Sequence, residues 1–462
     1  MRKWQLTLGL GALAMLAVLV APRLLGSVSA ADGVLGQPQV VPVAPTVAPD
    51  TGPLLLRGGL DHTALSGHLE ERFLVFEISA PEARATHRPL DLAIVIDGSG
   101  SMSAAGKMNH ARDAARQLAR TLGPQDTLGL FVFNDTARVV RPVSPLSTPE
   151  SVDHLVEKVY EGGGTNLHAG LELGGRELLR VTGPSREAQL VLLSDGKASV
   201  GITNPSVTAT LAAELAVKGV SISTVGLGLD YDEDALASIA DLGGGTYRFV
   251  DDSKALPEVL ETEIGRARRV IARDTRVTIA LADGVELLDV VGWQTTAAGA
   301  HRHALWLGDL STGDTRRVVA RVRTPVTSSM AQVATATLDY IHDGGIGTST
   351  LGVTVPVVSD EDSAAAAHPH WAPIAQRAWA GAYVEDSTRA YESGDLTESQ
   401  ELLRKGQAVL TEAAHALATP ALLHEAAELD RTLRAFQQSK PSSPAGRRAI
   451  KSTKETLRGS VR

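Results

Sequence analysis

The chain has 462 residues, of which 43% are hydrophobic and only 4% aromatic, and its formal net charge is −9. This length is too great for one ordinary domain, so we expect two or three domains with mainly aliphatic cores. The negative charge offers no general attraction to nucleic acid or anionic lipid, and we expect no nucleic-acid partner. The absence of cysteine excludes disulfide bonds, thiolate metal ligands, cysteine nucleophiles and a lipid-modified N-terminal cysteine.

Residues 1–30 have the pattern of a signal peptide. A short basic start precedes an apolar, uncharged run over residues 6–21, and Val28-Ser29-Ala30 provides small residues for cleavage before Ala31. The alternative is an uncleaved anchor that attaches the protein to the cytoplasmic membrane, because the apolar run can be extended to a marginal span. Both interpretations predict export: to the periplasm or the extracellular space, or facing outward from the membrane.

Two segments separate this start from the first domain. Residues 31–53 are rich in proline, valine and alanine and predict an extended linker. Residues 54–86 contain two runs with the alternation of β-strands, at 54–57 and 72–79. Two strands are too few to fold alone, so we expect them to join strands from elsewhere in the chain.

A buried strand ending in a polar turn follows. Residues 91–96 are mostly aliphatic, as in a strand of a parallel sheet, and residues 97–101 read Asp-Gly-Ser-Gly-Ser before a helical pattern over 107–122. The glycines permit a tight turn. A junction between a strand and a helix lies at the carboxyl edge of such a sheet, where open α/β folds bind ligands. One carboxylate and two hydroxyls therefore converge, which indicates an all-oxygen site for a hard cation.

Two later stretches complete the pattern. Gly162 to Asn166 precedes another helical pattern, and residues 189–196 repeat the order of aliphatic strand, aspartate and glycine. Together these positions resemble the complete metal-ion-dependent adhesion site of the von Willebrand factor A (VWA) domain family, as found in exported bacterial VWA proteins. The residues that match the family's motif are Asp97, Ser99, Ser101, Thr165 and Asp195.

The resemblance implies both a metal site and a fold. It implies that Ser99, Ser101 and Thr165 bind a divalent metal directly, while Asp97 and Asp195 hold it mainly through water. Neutral ligands in small number favour Mg²⁺ or Mn²⁺ over Ca²⁺, which prefers more oxygens. In VWA relatives an acidic residue of a protein partner completes the metal's coordination, and the same is expected here.

Strand and helix patterns alternate over residues 88–272, the region covered by the resemblance. They predict an α/β fold with a doubly wound, mostly parallel six-stranded sheet, Rossmann-like as in VWA domains. Residues 137–143 predict an edge strand that forms a hairpin with the strand at 127–134. Helices are expected over residues 149–159 and, as a closing helix, over residues 253–273.

The remaining chain predicts an accessory all-β domain and a helical end. Five β-rich runs without intervening helices predict an antiparallel β-sandwich over residues 275–358, which the strands of residues 54–86 join. Residues 359–370 predict a linker, and residues 371–437 a helical hairpin. Residues 438–462, with seven basic residues from Lys440 onward against one glutamate, predict a disordered tail.

The function expected from these features is a metal-dependent protein-binding module of the cell envelope, acting in adhesion or assembly. No histidine or glutamate stands near the motif as a general base, and there is no hydrolase elbow, phosphate-binding loop or dinucleotide fingerprint. The sequence therefore predicts that the protein is not an enzyme. The alternatives are a metal-dependent hydrolase and a scaffold of a surface assembly whose metal is purely structural.

Overall fold

The computed structural model describes residues 46–47, 52–82, 88–183, 185–326, 330–343 and 345–461. The predicted signal peptide or anchor lies outside these ranges, as does most of the predicted linker over residues 31–53. Among the helices of the described ranges, none combines the length and hydropathy needed to cross a membrane.

The first strands form one edge of an antiparallel sheet. They are β1 (Thr46–Val47), β2 (Leu55–Leu60) and β3 (Glu70–Ser79), and β2 pairs with both neighbours. Burial alternates along β2, so that Leu56 and Leu60 face inward. This alternation is the one expected for a strand with a single buried face.

The central sheet has six strands in the order β6-β5-β4-β7-β8-β9. All neighbours are parallel except β5 and β6, which form an antiparallel hairpin at the edge. Every residue of β4, β5 and β7 is buried, because helices cover both faces of the sheet. The predicted doubly wound α/β class is thereby confirmed. The strands are β4 (Leu90–Asp97), β5 (Thr127–Phe133), β6 (Ala137–Pro145), β7 (Glu187–Ser194), β8 (Val220–Leu227) and β9 (Gly244–Val250).

Helices pack on the two faces of this sheet through separate aliphatic cores. One core contains α1 and α6, and the other contains α3, α4 and α5. Side chains of Asn166, Asn204 and Asp232 accept hydrogen bonds from the first turns of α3, α4 and α5, which fixes where these helices begin. The helices are α1 (Lys107–Thr121), α2 (Asp153–Val156), α3 (Leu167–Leu179), α4 (Pro205–Val217), α5 (Glu233–Leu242) and α6 (Leu256–Ala267).

Two predicted helices in this region are shorter than expected. The helix predicted over residues 149–159 is a 3₁₀ turn, Pro149–Val152, followed by α2. The closing helix predicted over residues 253–273 ends at Ala267, and the next strand begins at Val270.

Seven further strands build the accessory β-domain. They are β10 (Val270–Leu281), β11 (Glu286–Val290), β12 (Thr296–Gly299), β13 (Arg302–Ser311), β14 (Thr315–Thr324), β15 (Ala331–His342) and β16 (Gly345–Val355). They form two five-stranded antiparallel sheets with the orders β1-β2-β3-β14-β11 and β12-β13-β10-β15-β16. β3 pairs with β14 in unbroken register from Ser79 opposite Thr315 to Glu70 opposite Thr324. The inner faces of both sheets share one core, so the early strands belong to the sandwich.

The C-terminal part contains five helices: α7 (Asp360–Ala364), α8 (Trp371–Ser393), α9 (Leu396–Ala416), α10 (Ala421–Gln438) and α11 (Pro444–Val461). The predicted hairpin corresponds to α8 and α9, which join at Gly394 in a left-handed conformation with a φ of 89°. The predicted linker over residues 359–370 contains α7. The prediction of a disordered tail over residues 438–462 is wrong, because most of it forms α11.

Tertiary contacts explain why α11 is ordered. Its Ile450 enters an apolar cluster with Tyr391 of α8 and Phe436 of α10. The ammonium of Lys451 lies 3.5 Å from the ring centroid of Tyr231, beside α5. A chain segment that composition predicts to be disordered is thus held by contacts with residues distant in the sequence.

Candidate metal centre

The candidate site lies at the carboxyl edge of the central sheet, where β4 and β7 end side by side. β4 ends at Asp97, and β7 ends at Ser194, directly before Asp195. The loop after β4 is tied to the loop that precedes α3 by two backbone hydrogen bonds: Gly100 N donates to Gly163 O at 3.1 Å, and Gly162 N donates to Gly98 O at 2.8 Å. The sheet topology therefore brings the three motif stretches to one place.

Three hydroxyls surround one small volume beside Gly196. A Cβ atom built on Gly196 would lie 3.2 Å from Thr165 Oγ1, 3.6 Å from Ser101 Oγ and 4.0 Å from Ser99 Oγ. Ser99 and Thr165 are buried, whereas Ser101 is exposed, so the cluster opens to solvent on the Ser101 side. Glycine at this position leaves free a space that any side chain would fill.

The two carboxylates are buried, and each accepts hydrogen bonds from neighbouring groups of the site. Asp97 accepts hydrogen bonds from the Ser99 backbone N at 2.8 Å and from Ser194 Oγ at 2.6 Å. Asp195 accepts from Ser101 Oγ at 2.6 Å and from the Lys107 ammonium, also at 2.6 Å. The structure thus brings all five predicted residues together.

The donor set fits a hard divalent cation. Hydroxyl oxygens at Ser99, Ser101 and Thr165 would hold such an ion, with the carboxylates of Asp97 and Asp195 behind them. Within the described ranges, no group of three or more His, Cys, Asp or Glu side chains is arranged to bind a metal. A metal at this edge would therefore depend on the hydroxyls together with Asp97 and Asp195. A further carboxylate, the exposed Asp135, accepts a hydrogen bond from Gly164 N at 2.9 Å in the loop before α3.

Several contributing residues were missed by sequence reasoning. Ser194 hydrogen-bonds Asp97, Lys107 pairs with Asp195, and Ser199 Oγ accepts a hydrogen bond from the Thr165 backbone N at 3.0 Å. Ser194 and Ser199 flank Asp195 within a short polar stretch, which is the signal that could have identified them.

Burial strongly shifts the pKa of the Asp97 carboxyl. It raises the pKa of this carboxyl from 3.8 to about 6, although hydrogen bonds from Ser194 and Ser99 favour the charged form; the nearby charge of Asp195 raises the pKa further. The Asp97 proton is therefore bound more tightly in the folded, metal-free protein than in the unfolded chain.

This shift predicts how stability depends on pH. Stability from the protonated Asp97 is fully present below the unfolded pKa of 3.8 and is lost as pH rises through about 6. The loss should amount to about 3 kcal/mol, because each pKa unit corresponds to about 1.4 kcal/mol. The melting temperature, measured in the presence of a chelator, should therefore fall as pH rises from about 4 to about 7. This fall should be steeper in the wild type than in Asp97→Asn.

The Asp97→Asn comparison is needed because burial also raises the pKa of Asp309 to about 6. The Asp309 contribution is common to both proteins and cancels in the difference between them. Equal pH slopes for the wild type and Asp97→Asn would contradict the prediction.

The helix α11 borders the site. Arg448 Nε of α11 lies 2.6 Å from Asp251 Oδ2, just after β9. Arg448 and Lys107 line the same cavity of about 250 Å³. The segment predicted to be a disordered tail therefore forms part of the surroundings of the candidate metal centre.

Comparisons with known proteins agree with this architecture. The family model of the von Willebrand factor type A domain matches residues 91–262. Uncharacterized protein YfbK of Escherichia coli (strain K12) is 26% identical over 213 residues, which cover 46% of this chain and 37% of that protein. The alignment thus spans little more than a third of that relative's length.

Two solved structures share the fold. The von Willebrand factor type A protein from Catenulispora acidiphila has a TM-score of 0.64 at 17% identity, covering 84% of this chain and 91% of that chain. The ArnB paralog VWA2 from Sulfolobus acidocaldarius has a TM-score of 0.58 at 16% identity, and the match covers 89% of this chain and 99% of that chain. At these identities the likeness shows the fold alone. The family match and the fold together establish that the chain contains a von Willebrand factor type A domain, which the family model matches at residues 91–262.

Proposed function

We propose that the VWA domain binds a divalent cation, Mg²⁺ or Mn²⁺, and through it an acidic group of a protein partner. The observation that carries this proposal is the convergence of three hydroxyls around the space beside Gly196, with two buried carboxylates behind them. Each hydroxyl offers a neutral oxygen, and the carboxylates are already engaged by Ser99, Ser194, Ser101 and Lys107.

The charge balance explains the preference for an acidic ligand. A dication held directly by neutral hydroxyls keeps much of its positive charge and remains attractive to an anionic oxygen. A closed structural site, in contrast, surrounds its metal with protein ligands on all sides. Ser101 is exposed, which gives a partner carboxylate a route to the ion from solvent.

We propose a binding role without catalysis. In the part of the chain that the structure describes, the hydrogen bonds of the motif side chains are made with hydroxyls, one backbone amide and one ammonium, and none of these groups is a general base. A nearby histidine, His110, hydrogen-bonds Ser253 Oγ at 2.6 Å instead.

We place this interaction outside the cytoplasmic membrane, in the cell envelope or beyond it. The support is the basic start, the apolar run and the small residues before Ala31. Protein isolated from the cytoplasm with Met1 intact would contradict this location.

The experiment is capture of partners from a cell-envelope extract on the immobilised full-length protein. Partner retention should require Mg²⁺ or Mn²⁺, be lost on addition of EDTA, and be absent with Asp97→Ala. Replacing acidic residues of the captured partner should also abolish retention. If retention survives both EDTA and Asp97→Ala, the metal does not mediate binding. If it needs metal but tolerates loss of the partner's acidic residues, the metal is purely structural.

A further inference from the structure

An ammonium group lies inside the candidate metal centre. Lys107 is the first residue of α1, and its Nζ is 2.6 Å from Asp195 Oδ2. The Lys107 side chain is 12% exposed and the Asp195 side chain 0% exposed, so this ion pair is largely shielded from water. Asp195 is thus contacted by a cation on one oxygen and by the Ser101 hydroxyl on the other.

The backbone around Lys107 directs its side chain to this position. Gly106 precedes it with a φ of 70°, in the left-handed region, where the 3₁₀ turn Gly100–Gly106 meets α1. On the opposite side, a Cβ atom built on Gly228 would lie 3.4 Å from both Cε and Nζ of Lys107. The lysine end is therefore enclosed between the turn after β8 and Asp195.

The negative charges of the two carboxylates, Asp97 and Asp195, have different kinds of partner. The described hydrogen bonds to Asp97 come from a backbone amide and a hydroxyl, both neutral, whereas Asp195 is paired with Lys107. Removing one partner of a buried ion pair is costly because the other charge is left uncompensated. Lys107 therefore stabilises the protein when no metal is bound.

The same charge acts against a metal. A divalent cation at the hydroxyls of Ser99, Ser101 and Thr165 would be repelled by an ammonium on the neighbouring Asp195, and the repulsion is strong in a shielded site. We propose that Lys107 is a tethered cation that competes electrostatically with the divalent ion, lowering metal affinity while stabilising the metal-free protein. This inference rests on the proposed function, because it concerns the same metal. It gives Lys107 a positioning and affinity-setting role that acts through Asp195.

The test compares full-length variants by calorimetric titration with Mg²⁺ and by thermal unfolding in EDTA. Lys107→Met should bind Mg²⁺ about tenfold more tightly or better, because the repulsion is removed. It should also melt at a lower temperature than the wild type in EDTA, and its melting temperature should rise more on addition of Mg²⁺. Lys107→Arg, which keeps the charge, should resemble the wild type in both measurements.

Lys197→Met is the matched control. Lys197 lies two residues after Asp195, but its side chain is exposed beside the cavity between α5 and α11. Water and salt screen its charge there, so its replacement should leave Mg²⁺ affinity nearly unchanged. Should Lys107→Met fail to fold, Lys107→Gln can still donate to Asp195 and makes the same prediction for Mg²⁺ affinity.

The outcomes separate this inference from the proposed function. Suppose that the wild type binds Mg²⁺ and the uncharged Lys107 variants bind it with the same or lower affinity. This result would overturn the inference and leave the proposed function standing. No Mg²⁺ binding by the wild type or any variant would overturn both. A structural role alone would weaken metal binding together with stability, whereas electrostatic competition moves the two in opposite directions.

Discussion

Replacement of Asp195 by alanine is expected to abolish Mg²⁺ binding at millimolar concentration. The substitution removes a full negative charge from the metal's surroundings and frees Ser101, whose hydroxyl donates to Asp195 at 2.6 Å. A charge pair at about 4 Å with an effective dielectric constant near 20 is worth on the order of 4 kcal/mol, or roughly a thousandfold in affinity. Calorimetric titration of the purified full chain measures this loss.

The fold should survive this substitution. Asp195 follows β7, whose eight residues are all buried in the central sheet and hold it together by apolar packing. Circular dichroism should therefore be unchanged, while the melting temperature should fall because Lys107 loses its partner. Ser103→Ala is the control in the same loop, because the Ser103 side chain is exposed and its hydroxyl donates a hydrogen bond to a backbone carbonyl, Gly100 O. If Asp195→Ala binds Mg²⁺ as tightly as Ser103→Ala does, the carboxylate has no role in metal binding.

Removal of residues 1–87 is expected to unfold the β-sandwich while the VWA domain persists. The deletion takes away β2 and β3, so β14 loses one of its two neighbouring strands along all ten of its residues and keeps only β11. It also removes seven large side chains of the sandwich core that are at most 1% exposed: Leu54, Leu56, Leu60, Leu65, Leu74, Phe76 and Ile78. At about 1.5–3 kcal/mol for each buried side chain, the loss is comparable with or larger than the stability of an ordinary domain.

Thermal unfolding and limited proteolysis distinguish the two parts of the chain. The sandwich of the shortened chain should be cleaved or aggregate through the exposed edge of β14, while a protected fragment corresponding to the central sheet remains. A chain beginning at Gly52 retains β2 and β3 and should behave like the full-length protein. A chain beginning at Arg88 that melts as the full-length protein does would show that the sandwich does not need its early strands.

Sequence reasoning identified the elements whose burial is continuous along the chain. β4, β5 and β7 are apolar at nearly every position, and this pattern does not depend on distant contacts. β11 and β12 were missed because they are short and mostly lack buried residues, and β12 is exposed throughout. Their strand conformation comes from pairing with β14 and β13, which a local pattern does not encode.

The order of α11 depends on residues far away in the sequence. Its basic residues reach acidic groups in the first turn of α5 and just after β9, as in the pairs Lys454 with Asp234 and Arg448 with Asp251. Composition alone shows excess positive charge and therefore predicts repulsion and disorder. The compensating negative charges become neighbours only in the folded chain.

The residues of the site likewise fall into two groups: those that a local sequence pattern identifies, and those that only the folded structure brings to the site. The five motif residues were identified through their resemblance to the motif of the VWA family, whose positions lie just after strands or just before a helix. The roles of Ser194 and Lys107 depend on geometry: strand pairing puts Ser194 beside Asp97, and the left-handed Gly106 directs Lys107 towards Asp195. Neither contact can be derived from residue types in order.

The central claim is that Ser99, Ser101 and Thr165 bind a divalent cation, supported by Asp97 and Asp195. Its most direct test is calorimetric titration of Mg²⁺ into the full-length protein after treatment with EDTA and dialysis at neutral pH. We predict saturable binding of one equivalent at or below millimolar concentration, with a matching rise in melting temperature. No binding heat and no change in melting temperature with either Mg²⁺ or Mn²⁺ would contradict the account.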